Sequence, residues 1–135
     1  MRDCIFCKII SGELPSAKVY ENDAVVAFLD IHPVRPGHTL VVPKIHCENL
    51  MDCNPEALSA MMEAAQKVAR AVVSGTGAEG FNLGVNNGAA AGQVIFHLHL
   101  HIIPRSRGDG LALWGQTEYK EGEMVALAEK IKTSL

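Results

Sequence analysis

An α+β domain with a mostly antiparallel sheet of about five strands, one long helix and a C-terminal helix is the fold class this sequence predicts. Three observations carry it. Short apolar and β-branched runs recur between turn signals, and the early ones are joined by hairpin-length connections. A segment from Asn54 to Gly75 has the three-and-four spacing of an amphipathic helix. Further strands follow that helix instead of alternating with more helices, which favours antiparallel pairing over a parallel α/β sheet. With 135 residues and no internal repeat, low-complexity segment or linker, one domain spanning 1–135 is expected.

The elements follow in order. Cys4 to Ile10 stops at Ser11-Gly12 and Pro15, which reads as a short helix or turn. Lys18 to Glu21 and Ala24 to Leu29, separated by Asn22-Asp23, read as a hairpin. Ile31 to Gly37 is a loop whose two prolines forbid regular pairing, and His38 to Val42 resumes as a strand that Pro43 ends. Asn54 suits the cap of the long helix, Pro55 its first turn and Gly75 its end. Its apolar face is predicted as Leu58, Met61, Met62, Ala65, Val68, Ala69, Val72 and Val73. Phe81 to Asn86 reads as a strand, residues 87–92 as a loop of small residues, and His97 to Ile103 as a further strand ended by Pro104. Trp114 to Gly122 has no clear period, whereas Met124, Leu127, Ala128, Ile131 and Leu135 share one side of a C-terminal helix.

The composition excludes several classes. A hydrophobic content of 48%, a charged content of 20% and a net charge of -3 describe an ordinary globular chain and give no support to electrostatic nucleic-acid binding. A basic stretch leading into a long apolar run is absent at the start, and no apolar stretch approaches 18 residues, so neither secretion nor membrane insertion is expected. The expected compartment is the cytoplasm. There the four cysteines should be reduced, which makes Cys4-Ile5-Phe6-Cys7 a metal or redox candidate and leaves Cys47 and Cys53 as unpaired thiols.

The chemistry concentrates in His97-Leu98-His99-Leu100-His101, which holds three of the six histidines. Alternation with a two-residue period sets the imidazoles on one face and Leu98, Leu100 and Ile102 on the other. Same-face neighbours on a strand lie roughly 6.5 to 7 Å apart, so three rings cannot readily share one zinc with bonds of about 2.0 Å. A division of labour along the row is expected. The run of residues 86–93, Asn-Asn-Gly-Ala-Ala-Ala-Gly-Gln, lets backbone N–H groups approach an anion and leads into the histidines. Imidazole is a nucleophile and proton carrier near neutral pH, so phosphoryl or nucleotidyl transfer fits the pair. The Walker-type ending is missing. Cys4 and Cys7 supply half of a tetrahedral zinc site, which His46 and one histidine of the row could complete.

Six stretches carry a family resemblance: Cys-Ile-Phe-Cys-Lys-Ile-Ile at 4–10, Ala-Phe-Leu-Asp-Ile at 27–31, Gly-His-Thr-Leu-Val-Val-Pro-Lys at 37–44, Ala-Gly-Gln at 91–93, the histidine row at 97–103, and Pro-Arg at 104–105. Together they resemble the histidine triad family, in its small bacterial-type branch that keeps the N-terminal cysteines. The resemblance runs from Cys4 to about Gly110. It implies a homodimer that binds a purine nucleotide such as AMP or an adenosine phosphoramidate and reacts at the α-phosphorus. By position, His99 matches the family's nucleophile, His101 the residue that contacts phosphate and assists the leaving group, and His38 the fourth histidine that supports the row. Asp30 matches the carboxylate on the ribose hydroxyls, and Asn86, Gly92 and Gln93 match the phosphate-side contacts. Ile5, Phe6, Ile9, Phe28 and Ile31 fall where relatives wall the base pocket. Cys4, Cys7, His46 and His97 match a structural zinc site; no organic cofactor is implied. One departure stands out: Val94 replaces the Ser or Thr of several eukaryotic relatives, leaving only a backbone N–H to reach the phosphate.

The rival readings are a dinucleoside polyphosphate hydrolase, a nucleotide-binding scaffold with little turnover, and a catalytic metal site on the histidine row. His32 has no assigned role.

Overall fold

The computed structural model describes residues 3–135. A short helix α1 (Ile5–Ile10) precedes strands β1 (Lys18–Glu21), β2 (Val25–Leu29) and β3 (Thr39–Pro43), then the long helix α2 (Pro55–Thr76), strands β4 (Gly80–Gly84) and β5 (Leu100–Arg105), and helix α3 (Glu123–Lys132). A 3₁₀ turn at Ala89–Ala91 lies between β4 and β5. The five strands form one sheet in the order β1-β2-β3-β5-β4, every pair antiparallel, so the predicted fold class is observed.

Period-2 alternation in β2 and β3 feeds two cores. Val25, Ala27 and Val41 face α2, packing with Leu98, Leu100 and Ile102 against Met61, Ala65, Val68 and Val72. Val26, Phe28, Leu40 and Val42 face the other way, under Phe6 and Ile9 of α1. Burying each of these larger side chains contributes about 1.5–3 kcal/mol. Leu40 pairs directly with His101, which sets that imidazole on the α1 face of the sheet. The apolar half of the histidine row therefore faces the α2 core, and the polar half is buried toward α1.

Several details depart from the expectations. Helix α2 is capped by Asn54, whose side chain accepts the Ala57 N–H at 2.8 Å, but it runs on through Gly75 to a left-handed Gly77. Ala64 is buried where Met62 was expected; Met62 is 53% exposed. Strand β4 ends at Gly84, short of Asn86, and β3 begins at Thr39. The histidine strand enters the ladder only at Leu100, because the Leu98 N–H is already given to the Cys47 carbonyl at 2.8 Å. Pro104 lies inside β5, where its missing N–H is tolerated: pairing with β3 ends at Thr39↔Ile102, before the proline is reached. Cys47 and Cys53 are not free thiols but a disulfide with Cα atoms 5.2 Å apart; both are buried, and the turn between them folds the chain back on itself. Helix α3 forms as predicted, yet none of its residues is buried. Among the described residues no helix is long and apolar enough to cross a membrane.

Candidate functional site

At one end of the row, α1 and the chain beyond β3 bring four soft and borderline donors together. His97 Nδ1 lies 3.4 Å from Cys4 Sγ, 3.5 Å from Cys7 Sγ and 3.1 Å from His46 Nδ1, and Cys7 Sγ is 3.4 Å from His46 Nδ1. Those separations approximate the edges of a tetrahedron built on Zn–N bonds of about 2.0 Å and Zn–S bonds of about 2.3 Å. The second ring nitrogen of His97 donates to the Pro43 carbonyl at 2.8 Å, which leaves the Nδ1 lone pair facing the cysteines. Burial, followed by the Cys4 sulfur, pushes the Cys7 thiol up to about 11, which favours its protonated form. The donor set and its geometry fit zinc. The capping of α1 by Cys4, whose sulfur takes the Cys7 N–H, holds the two cysteines on one turn.

His99 comes next and is 8% exposed. Its Nδ1 lies 2.7 Å from the His97 carbonyl oxygen, which can only accept, so Nδ1 carries the proton and Nε2 keeps a lone pair. Phe6 stands edge-on to this ring at 5.0 Å between centroids. Burial lowers the His99 pKa, the His97 carbonyl opposing it, so the neutral ring is favoured.

His101 and His38 form the third part. The Val34 N–H donates to His38 Nδ1 at 3.0 Å, which places the His38 proton on Nε2. That Nε2 lies 2.9 Å from His101 Nδ1, and donation along this line leaves His101 protonated on Nε2. His101 Nε2 is buried and has no hydrogen-bond partner among the described residues. Burial, then the neighbouring His99 and His38, lowers the His101 pKa to about 4. Asp30 Oδ2 is 3.7 Å from His38 Nε2, but burial outweighs its charge and lowers the His38 pKa, so the contact joins a carboxylate to a neutral ring. Asp30, His38 and His101 are close enough to hold a metal. The proton that Val34 fixes on His38 Nε2 argues for a hydrogen-bonded relay there instead.

The small-residue loop is built differently from the expected anion cradle. The N–H groups of Ala91, Gly92 and Gln93 turn inward to the carbonyls of Gly88 and Ala89, and the Gly88 N–H goes to Gln93 Oε1 at 2.8 Å. Gln93 also donates to Glu48 O at 2.6 Å and Ile95 O at 3.1 Å, tying this loop to the turn that follows His46. Gly92 has a φ of +93°, and a Cβ there would meet Asn86 Nδ2 at 3.6 Å. The Val94 side chain is 84% exposed. Of the five expected base-pocket residues, Phe6, Ile9 and Phe28 lie in the core beneath α1, while Ile5 and Ile31 are exposed. Asn86 borders a cavity shared with His38 and His101.

Sequence reasoning missed one cluster. Asp109, nearly buried, takes two bonds from Arg105, at 2.7 and 3.1 Å, and one from Arg35 at 2.9 Å. Arg105 holds its carboxyl far below the usual carboxylate range. The spacing of Arg105 and Asp109 was a readable signal for a turn; the reach of Arg35 from the β2–β3 loop was not.

Fold and site together define an open-sheet α+β protein with an ordered histidine row beside a Cys₂His₂ cluster. The HIT domain matches residues 11–108, and the chain belongs to the HIT family. It is 46% identical over 137 residues to Protein hit of Bacillus subtilis, covering 98% of this chain and 94% of that one. It is 50% identical over 112 residues to Adenylylsulfatase HINT3 of Arabidopsis thaliana, covering 83% of this chain but only 56% of that relative's length. The crystal structure of a Zn-bound histidine triad family protein from Mycobacterium smegmatis superposes with a TM-score of 0.79 at 37% identity, covering 99% of each chain.

Proposed function

We propose that the protein is a nucleotidyl hydrolase or transferase acting at the α-phosphorus of an adenosine phosphoramidate-type substrate through a covalent nucleotidyl-His99. The observation that carries this reading is the pair of tautomers on one face: a lone pair on His99 Nε2 beside an unpartnered N–H on His101. Nucleophile and acid differ because the backbone atoms behind them differ, a carbonyl for one and an amide relayed through His38 for the other. His99 Nε2 forms the bond to phosphorus as the P–N bond breaks. The departing nitrogen keeps the electron pair and gains the His101 Nε2 proton, and His101 recovers one from the water that then hydrolyses the nucleotidyl-histidine. Asp30 is assigned to the ribose hydroxyls, and Ile5 and Ile31, exposed beside buried Phe6, Ile9 and Phe28, to the base. Asn86, Gly92, Gln93 and the Val94 N–H are assigned to the phosphate side, with Gln93 acting through the loop it ties. His38 is a positioning residue.

A second reading keeps the same attack with sulfate as leaving group, favoured by the likeness to the plant protein named for adenylylsulfatase activity. Cys4, Cys7, His46 and His97 would hold a structural zinc, which supplies cross-linking of α1 to the row and leaves the reacting atoms to His99 and His101. We assign the protein to the cytoplasm, where the Cys4 and Cys7 thiols stay reduced and able to bind metal, while the Cys47–Cys53 disulfide is shielded from thiol exchange by its burial. A homodimer is supported by β4, an edge strand whose Phe81 and Leu83 are 44% and 41% exposed beside Met62 of α2.

The test is to quench the protein during turnover of adenosine 5′-phosphoramidate and map the adduct by mass spectrometry. A nucleotide on His99, lost in His99→Ala together with turnover, is expected. Unchanged turnover in His99→Ala overturns the mechanism.

A further inference from the structure

The proton on His101 depends on an amide far from the histidine row in sequence. Val34, in the loop that joins β2 to β3, donates its N–H to His38 Nδ1 at 3.0 Å, and that contact decides which nitrogen of His38, and so of His101, carries hydrogen. With Val34 displaced, His38 is free to hold its proton on Nδ1. His38 Nε2 then accepts from His101 Nδ1, and His101 Nε2 is left with a lone pair and nothing to donate.

Two backbone hydrogen bonds close this loop on itself: the Asp30 N–H reaches the His38 carbonyl at 2.9 Å, and the His38 N–H reaches the Arg35 carbonyl at 3.0 Å. Pro33 and Pro36 have no N–H and fix their own φ, so the shape of the loop is largely set locally. Its position against the sheet is not. A cavity of about 300 Å³ is lined by Arg35, Pro36 and Gly37 on the loop and by Pro104 and Ser106 at the end of β5, so packing alone holds the two segments together weakly there.

One side chain spans the gap. Arg35 Nη1 lies 2.9 Å from Asp109 Oδ2, and among the described residues no other side chain of residues 31–37 makes a hydrogen bond or ion pair. Asp109 is itself immobilised. The Arg105 guanidinium donates to both its oxygens at 2.7 and 3.1 Å, the Ser106 N–H adds a bond at 3.1 Å and the Leu111 N–H one at 3.0 Å. With its side chain only 4% exposed, the carboxylate is a fixed post at the end of β5.

We propose that Arg35 is a positioning residue: its ion pair with Asp109 anchors the β2–β3 loop to β5, keeps the Val34 N–H on His38, and so maintains the proton on His101 Nε2. The inference rests on the nucleotidyl-transfer reading above and carries the relay beyond the histidines. Asp109 fixes Arg35, Arg35 fixes the loop, and Val34 fixes the tautomer. Arg35 touches no reacting atom.

The experiment uses Arg35→Gln, which keeps a polar side chain and removes the charge, and Arg35→Lys. The Arg35 side chain is 29% exposed, so neither change opens the core, and because Arg35 offers a single nitrogen to Asp109 an ammonium can take its place. Long-range proton–nitrogen NMR spectra of histidine-labelled protein read the tautomers directly. Rates are measured on adenosine 5′-phosphoramidate, whose nitrogen must gain a proton to leave, and on the 5′-p-nitrophenyl ester of AMP, whose phenolate leaves without one. In wild type both His38 and His101 are expected as Nε2–H tautomers. In Arg35→Gln, His38 gains an Nδ1–H form and kcat on the phosphoramidate falls about tenfold, with KM within about twofold and the ester slowed at most about twofold. Arg35→Lys is expected to return spectra and rate most of the way to wild type. Unchanged tautomers in Arg35→Gln, an unchanged phosphoramidate rate, or equal losses on the two substrates overturns the inference while the His99 mechanism stands. A wild type inert on both compounds, or full turnover in His99→Ala, overturns the transfer reading and the inference with it.

Discussion

The carbonyl oxygen of His97 accepts the Nδ1–H of His99 at 2.7 Å, so a residue whose side chain belongs to the Cys₂His₂ cluster orients the next imidazole with its backbone. On the proposed reading the two rings do different work, and the peptide between them couples it. A metal that fixes His97 also fixes the acceptor that selects the His99 tautomer.

Removal of the proposed nucleophile is therefore expected to differ from removal of a proposed zinc ligand. His99→Ala should lower turnover by at least about a thousandfold, far more than the loss of one buried ring against Phe6 lowers the folded fraction at 25 °C. Steady-state kinetics and a melting curve on the same preparation check this. A Tm drop that parallels the activity loss would recast His99 as structural.

Metal removal should show the opposite balance. Chelation, or Cys7→Ser, removes the cross-link between α1 and the histidine row and is expected to lower the Tm by at least about 5 °C. Metal analysis should give one zinc per chain in wild type and much less in Cys7→Ser. Loss of activity at an unchanged Tm would instead make the metal catalytic.

The coarse architecture was legible because local chemistry and tertiary structure agree. Asn22-Asp23 makes the β1–β2 turn through Asn22 Oδ1, and Asn54-Pro55 starts α2. The alternation at 97–103 correctly separated core from polar face, but not where pairing begins, because the Leu98 N–H is diverted to Cys47. Gly75 was read as the helix stop, but Gly77 is the glycine that adopts the left-handed conformation, its N–H going to the Val73 carbonyl. The cysteine cluster was legible as donor chemistry, while the Cys47–Cys53 pairing depends on how the turn closes. The roles within the row rest on atoms that residue identity does not reveal: the Pro43 and His97 carbonyls and the Val34 N–H.

The pH dependence follows from these buried rings. The proposed attack needs neutral His99, whose pKa is lowered from 6.5 by burial, so the acid limb of the rate should lie below pH 6.5 and not at it. Stability has the matching sign. Unfolded histidines titrate near 6.5, whereas folded His101 titrates at about 4, so the unfolded chain binds more protons between those values. The contribution is fully present above pH 6.5 and is lost as pH falls toward about 4. Melting curves of chelated protein across this range should show a steady decline, with a shallower slope in His101→Phe; equal slopes would contradict the assignment.

The loop that delivers His38 depends on a close approach between Gly37 and the end of α2. Gly37 has a φ of +97°, and a Cβ on it would sit 2.6 Å from Thr76 Cγ2. Thr76 has little freedom to retreat, because its hydroxyl donates to the Val72 carbonyl at 2.7 Å in the last turn of the helix. Gly37→Ala should therefore combine a left-handed backbone penalty of about 1 kcal/mol with an overpacking penalty of about 1–3 kcal/mol. Thr76→Ala removes Cγ2, after which the nearest contact for the new Cβ is Pro104 Cγ at 3.4 Å, an ordinary packing distance. In that background Gly37→Ala should cost only about 1 kcal/mol, so urea denaturation of the four proteins should give a coupling of about 1–3 kcal/mol. Equal costs in both backgrounds would mean that backbone conformation alone demands glycine. Because His38 follows directly and its Nδ1 must reach the Val34 N–H, Gly37→Ala should also lower kcat per folded molecule, and Thr76→Ala should restore it in step with stability.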